Sequence, residues 1–356
     1  MKAVSLFSGA GGMDVGFSKA GVKVVWANEL DVAAAQTYQK NHPDTMLRQG
    51  DIKTLKAELQ QFGSNSIDMI FGGPPCQGFS VAGKMNPDDE RSKLIWEYLD
   101  IVRMLKPKVF VMENVKALGE LPRWQSVREQ IVSIAEGLGY TCFYKVLNAA
   151  DFGVPQKRER VFFIGFLNTE YDVENLFENE IMNQRKPRVT LRECLRKLPP
   201  AGSVGNPITC TAKISLATNP IMRKSPYAGM LFNGMGRPMD LNNQANTLPA
   251  SMGGNKTPII DERLLMDPHA ENWIEQYHEQ LGYNRTTPDF IKTVPSYIRR
   301  ITTVEAAAIQ TFPLKYEFAG EKSSIYRQIG NAVPCDLATA VAKATFAIHE
   351  EIYNPA

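Results

Sequence analysis

The residue of this chain best placed to act as a nucleophile is Cys76. It lies in Gly72-Gly73-Pro74-Pro75-Cys76-Gln77-Gly78-Phe79-Ser80. The apolar run before it, residues 67–71, reads as a buried strand that breaks at two glycines. Ligands of open α/β sheets gather at the carboxyl ends of strands. Two prolines fix φ, so the thiol is presented on a stiff loop. A thiol attacks only as thiolate, and a free pKa of roughly 8.5 leaves little of it at neutral pH. The surroundings must activate it. A lone cysteine after a strand is more often a small buried side chain, so other segments decide.

A glycine-rich turn is the second feature. Residues 2–7 form a short apolar strand, followed by Ser8-Gly9-Ala10-Gly11-Gly12-Met13-Asp14. Such a turn brings backbone amides close to a ligand, and the next helix points its amino terminus there. Asp14 stands where a dinucleotide fingerprint needs its third glycine. A second strand, residues 22–27, runs into Asn28-Glu29-Leu30-Asp31, where an acid can bond ribose hydroxyls. Asp51, after a third strand, is placed for an adenine amino group. Acids after strands also cap helices. Together the three features suit S-adenosylmethionine better than NAD.

Glu113 ends another apolar run, Lys108-Val109-Phe110-Val111-Met112-Glu113-Asn114-Val115. A charge that closes a buried strand marks a candidate site. Arg158 and Arg160 alternate along Gln156-Lys157-Arg158-Glu159-Arg160, which places both on one face of an extended segment. Two guanidiniums there can grip phosphates or carbonyls.

In these segments the chain resembles the DNA (cytosine-5)-methyltransferase family of prokaryotic restriction-modification type. The glycine turn, the Pro-Cys loop, Glu113-Asn114-Val115, Gln156-Lys157-Arg158-Glu159-Arg160 and Gly330-Asn331-Ala332-Val333-Pro334 stand in the family's order. The likeness covers residues 1–167 and about 237–348. It implies a doubly wound, mostly parallel α/β sheet of Rossmann-like type with a smaller loop-rich target-recognition domain. It implies S-adenosylmethionine as cofactor, held by Phe7, Gly9, Gly11, Gly12, Glu29 and Leu30. Asp51, Ile52, Pro74, Leu94, Asn331 and Ala332 complete that set. Cys76 would attack C6 of cytosine, Glu113 would hold the N3 and N4 edge, and Arg160 would face O2. Arg158 would steady the loop or the displaced nucleotide. Duplex DNA would meet Gln77, Ser80, Arg91, Gln156, Arg185, Lys186, Lys197 and Arg237.

The chemistry explains why such a set is needed. C5 of cytosine is a poor nucleophile, and thiolate addition at C6 yields an enamine that accepts a methyl group at C5. A base stacked in a duplex cannot reach the thiol, so it must be rotated out at a cost of a few kcal/mol. Residues 77–93 form a long polar loop, which reads as a lid over DNA.

Composition agrees with this picture. The chain has 356 residues and a net charge of +2, so affinity for nucleic acid must come from local clustering. That cluster is residues 181–256, with eleven lysines and arginines against two acids. Lysines and arginines that neutralise phosphates make binding salt-dependent. The five cysteines show no CxxC spacing, so neither a zinc site nor a disulfide framework is indicated. No metal is expected, and His269 and His278 read as surface residues. Without a signal-like start or a long apolar run, a reducing cytoplasm is expected, which keeps Cys76 reduced.

The expected layout is a catalytic and cofactor-binding domain at 1–167, a recognition domain at 168–297 and closing helices at 298–356. The recognition core is 168–260, and 262–297 reads as a connecting insertion. A monomer is expected, with a restriction endonuclease as genetic partner. Three rivals exist. An RNA methyltransferase of the same fold would not need the basic 181–256 segment. A non-catalytic DNA-binding relative has no use for a presented thiol. A nicotinamide oxidoreductase is disfavoured by Asp14.

Overall fold

The computed structural model describes residues 1–75, 93–283 and 291–355. Strands and helices alternate through the first half. They are β1 (Lys2–Leu6), α1 (Gly12–Lys19), β2 (Lys23–Glu29), α2 (Val32–Asn41), β3 (Met46–Gln49), α3 (Ile52–Leu55), β4 (Met69–Gly72), α4 (Leu94–Leu105) and β5 (Val109–Val115). Then come α5 (Lys116–Glu120), α6 (Gln125–Gly137), β6 (Tyr140–Asn148), β7 (Gln156–Lys157) and β8 (Glu159–Leu167).

Seven strands form one sheet in the order β3-β2-β1-β4-β5-β8-β6. The first five are parallel, and β8 and β6 close the edge as an antiparallel pair. The chain steps outward from β1 to β3, then restarts beside β1 at β4. That reversal opens a crevice at the carboxyl ends of β1 and β4. Both faces of the sheet are covered, which is why the strands read as continuous apolar runs. Ala3, Met69, Phe71, Val109 and Val111 point to one core layer, whereas Val4, Leu6, Ile70, Phe110 and Met112 point to the other.

The second half begins with α7 (Val173–Asn183), α8 (Leu191–Leu195), β9 (Leu216–Ile221), β10 (Met230–Phe232), β11 (Ala245–Asn246), β12 (Ile259–Asp261), α9 (Glu262–Met266) and α10 (Trp273–Tyr283). It ends with β13 (Ile298–Arg300), α11 (Thr303–Ile309), α12 (Lys322–Asn331) and α13 (Cys335–Tyr353).

Two packing results move the expected boundaries. Val173, Phe177 and Ile181 of α7 are buried in the first core beside Leu337, Val341 and Ala344 of α13. The first lobe therefore includes α7, because its apolar stripe matches the sheet-covering helices. Residues 262–297 are also more than a connecting insertion. Trp273, Ile274, Tyr277 and Leu281 of α10 share a core with Leu231, Phe232, Ile259 and Ile298.

Helix α13 returns the chain to its start. A Cβ on Gly16 would stand 2.5 Å from the Ala338 Cβ and 2.6 Å from the Thr339 nitrogen. Only glycine allows α1 and α13 to approach this closely.

Candidate active site

The glycine turn sits at the crevice. Phe7, Gly9 and Gly11 all have positive φ, at 55°, 58° and 86°. For a phenylalanine that conformation is strained, and such strain concentrates at functional sites. A Cβ on Gly9 would meet nothing within 4 Å, so the turn is open on that side. On the other side it is tightly backed. A Cβ on Gly11 would lie 2.6 Å from both His42 Nε2 and the Tyr316 hydroxyl, and one on Gly12 would lie 2.7 Å from the Val333 carbonyl and 3.1 Å from the Ala332 Cβ. Tyr316 donates its hydroxyl to the Ala10 carbonyl.

Glu29 closes β2 beside this turn. Its carboxylate accepts the Gly9 amide at 2.7 Å and the Asp31 amide at 2.8 Å. Burial raises its pKa, against the pull of those amides. Leu30, next in sequence, is 64 % exposed although apolar. An unclaimed leucine face beside an anchored carboxylate fits a ribose-and-base ligand. Asp51 is exposed and caps α3 by accepting the Lys53 amide at 2.9 Å. Ile52 is buried and Leu94 half-buried. Asn331 is exposed at the end of α12, and Ala332 is half-buried against Gly12. An open turn, a terminal carboxylate and an exposed apolar side chain together fit S-adenosylmethionine.

The second cluster lies one strand over. Glu113 sits inside β5, which continues to Val115, and not after its end. Its Oε1 pairs with Arg160 Nε at 2.9 Å, and both side chains are nearly enclosed. Burial raises the Glu113 pKa, with Arg160 and Arg158 opposing. A carboxyl in this balance can hold or give a proton within a closed site. Gly73 makes room for it, since a Cβ there would stand 2.7 Å from Glu113 Oε2. Asn114 points the other way and donates its side-chain amide to the Pro74 carbonyl at 3.1 Å. The proline corner is thus tied to β5 immediately before Cys76. Cys76, Gln77, Ser80, Arg91 and the expected lid lie outside the described residues.

Arg158 does not share a free face with Arg160. The extended run breaks between β7 and β8, and Arg158 is buried at the break. It donates to the carbonyls of Leu248 at 3.1 Å and Gly330 at 2.8 Å. Its guanidinium binds main chain from the second lobe and from α12. Gln156 requires a correction as well. Expected at the duplex, it is fully buried. Its Oε1 accepts the Leu248 amide at 2.8 Å and its Nε2 donates to Gln310 Oε1 at 2.9 Å. Parallel pairing of β7 with β11 closes over it.

Arg185, Lys186, Lys197 and Arg237 are exposed, as phosphate contacts require. Burial pushes the Cys194 thiol up to about 12 and drives those of Cys142 and Cys335 higher still. These three are poor nucleophiles. Among the described residues, no cluster of three or more histidines, cysteines or acids could hold a metal. No described helix is long and apolar enough to cross a membrane. The sequence alone assigns no structural role to Asn114 or Gln310. Asn114 carried a signal, since it follows Glu113 and strand parity sends it to the opposite face. A lone glutamine closing a short helix carries none.

The sheet order, the glycine turn and the strand-end acid define an S-adenosylmethionine-dependent methyltransferase fold. The family model for C-5 cytosine-specific DNA methylases matches residues 1–347, and the chain belongs to that family. It is a DNA (cytosine-5) methyltransferase with S-adenosylmethionine as methyl donor. It is similar to the Type II methyltransferase M.NgoPII of Neisseria gonorrhoeae, at 33% identity over 97% of this chain and 95% of that protein. M.FnuDI of Fusobacterium nucleatum, also a Type II methyltransferase, is 33% identical over 96% and 93% of the two chains. In fold, the chain resembles S. pombe Dnmt2 methyltransferase, with a TM-score of 0.66, 18% identity and 99% of each chain covered.

Proposed function

We propose that this enzyme methylates C5 of a cytosine rotated out of a specific short duplex sequence, through a bond between Cys76 Sγ and C6. One observation carries the reading: the Glu113–Arg160 pair is nearly enclosed at the sheet edge, and Asn114, next to Glu113, ties down the Pro74 carbonyl. The raised thiol pKa values of Cys142, Cys194 and Cys335 support Cys76 as the attacking sulfur.

The bound cofactor supplies an electrophilic methyl group. The protein does the rest. Glu113 holds the N3 and N4 edge and shares a proton with N3, which draws electron density from C6. Arg160 fixes that carboxyl and faces O2. The Cys76 thiolate adds to C6, C5 takes the methyl group, and loss of the C5 proton returns the thiolate. Phe7, Gly9, Gly11 and Gly12 shape the cofactor turn. Glu29 holds the ribose, Asp51 the adenine amino group, and Leu30 and Ile52 the base faces. Pro74, Leu94, Asn331 and Ala332 border the methionine end. Arg158 sets the frame around them.

The lobe from residue 184 to 297 reads the target, with Arg185, Lys186, Lys197 and Arg237 on phosphates. Gln77, Ser80 and Arg91 approach the duplex from the loop after Cys76. The enzyme works as a cytoplasmic monomer in this reading, and the relatives' Type II names suit a cognate endonuclease as its genetic partner. The test is bisulfite sequencing of DNA from a host expressing the chain. Protected cytosines in one short context are expected. Uniform conversion would remove the reading.

A further inference from the structure

The segment 329–333 is clamped between the two lobes. On the second-lobe side, a Cβ on Gly330 would lie 2.4 Å from the Pro249 carbonyl. On the cofactor side, a Cβ on Gly12 would lie 2.7 Å from the Val333 carbonyl. Neither contact has slack, because backbone faces backbone on both sides. Residues 248–250 thus press on Gly330, and Val333 a few residues on presses on the glycine turn.

One buried amide pair holds this strut. Gln310 donates its Nε2 to the carbonyls of Ile329 at 2.6 Å and Ala332 at 3.1 Å. Its own main-chain carbonyl accepts the Cys335 amide at 3.0 Å. Its Oε1 accepts from Gln156, whose Oε1 in turn accepts the Leu248 amide. Both glutamines are fully buried. The path from Leu248 through Gln156 and Gln310 to Ala332 leaves no side-chain hydrogen-bonding group of either residue idle.

We propose that Gln156 and Gln310 are positioning residues that link the second lobe's 245–250 segment to the cofactor turn, so that duplex engagement and cofactor affinity are coupled. This rests on the cofactor and DNA sites proposed above. Neither glutamine touches cofactor or base. Their effect runs through the 329–333 strut, and such linkage is reciprocal between two ligands.

Gln156→Glu tests the link because it can be switched. A glutamic acid keeps an oxygen for the Leu248 amide. When protonated it donates to Gln310 Oε1, and when ionised it repels that oxygen. Gln156→Leu cannot donate at any pH. The experiment measures S-adenosylhomocysteine affinity of the full chain by calorimetry, with and without a duplex carrying the bisulfite-defined site. It is run near pH 6 and near pH 9, since buried glutamic acids titrate up to about pH 8–9.

In the wild type, the duplex should change affinity at least about fivefold at both pH values. Gln156→Glu should keep that ratio near pH 6 and lose it near pH 9, and Gln156→Leu should lose it at both. Equal ratios in wild type and both variants, or no ratio in the wild type, would overturn the inference. Should one variant fail to fold, the other still decides. Glu29→Ala separates the two readings. If it too leaves affinity unchanged, the cofactor site itself is misassigned.

Discussion

The Glu113 carboxylate lies directly over Gly73: a Cβ there would stand 2.7 Å from Oε2, but 3.8 Å from the next nearest Glu113 atom, Cδ. The residue that precedes the proline corner thus makes room for the carboxylate proposed to hold the base. Gly73→Ala should push a side-chain end and leave the backbone in place. Activity should fall by about 10²-fold, since a misplacement of about 1 Å is enough for that. The melting temperature should change little. Steady-state kinetics beside thermal melts will separate the two effects. A large loss of stability with normal kcat would place Gly73 in the frame and not in the site.

The two proposed cofactor acids should differ. Glu29 is half-buried and accepts two backbone amides, whereas Asp51 is exposed and caps a short helix. Glu29→Ala should weaken S-adenosylmethionine by about 1.5–3 kcal/mol, the worth of a hydrogen bond to a charged group. Asp51→Ala should weaken it by less, because water screens an exposed group. Calorimetry is the check, and unchanged affinity in both variants would remove them from the site.

Much of this site was legible because its chemistry is local. A glycine turn after a strand, an acid closing the next strand and a proline corner each need only a few neighbouring residues. Helix α4 follows the local apolar periodicity of Leu94–Leu105, and the apolar runs of β6 and β8 pair antiparallel with their neighbour in sequence. The reading failed where a residue's fate depends on distant chain. Gln156 and Arg158 look like a polar surface run until β11 and α12 close over them. Strand alternation also presumed one unbroken strand from Gln156 to Arg160, and a break at Arg158 changes which way the guanidinium turns. Helix α7 shows the same limit, because its stripe does not say which sheet it will cover.

Asp14 should make stability depend on pH. It is fully buried, accepts from the Tyr38 hydroxyl at 2.7 Å and the Ser5 hydroxyl at 3.1 Å, and burial raises its pKa to about 7. The folded protein then holds a proton that the unfolded chain, with an ordinary aspartate pKa of 3.8, has lost. That contribution is fully present below about pH 4 and fades as pH rises to about 7, with a slope of at most about 1.4 kcal/mol per pH unit. Asp14→Asn should flatten this slope in urea melts between those limits. An identical slope in both proteins would show that Asp14 is ionised throughout.

The surface cations should act alike and differ from Gln156. Removing Arg185, Lys197 or Arg237 should weaken all duplexes similarly and lower the salt slope of log K by about 0.9 per lost phosphate contact. Gln156→Leu should leave that slope alone, because the side chain is sealed from the duplex. Filter binding across a salt series distinguishes the two groups. A reduced slope in Gln156→Leu would mean that the β7–β11 seam opens on DNA.

The covalent step is tested most directly with DNA copied with 5-fluorocytosine, whose fluorine cannot leave as the C5 proton does. After incubation with S-adenosylmethionine, denaturing mass spectrometry should find a nucleotide adduct on the peptide carrying Cys76. The Cys76→Ser protein should form none while still binding duplex, because a hydroxyl is a weak nucleophile without a dedicated base. An adduct on Cys142, Cys194, Cys210 or Cys335, or methyl transfer by Cys76→Ser at the normal rate, would contradict Cys76 as the nucleophile.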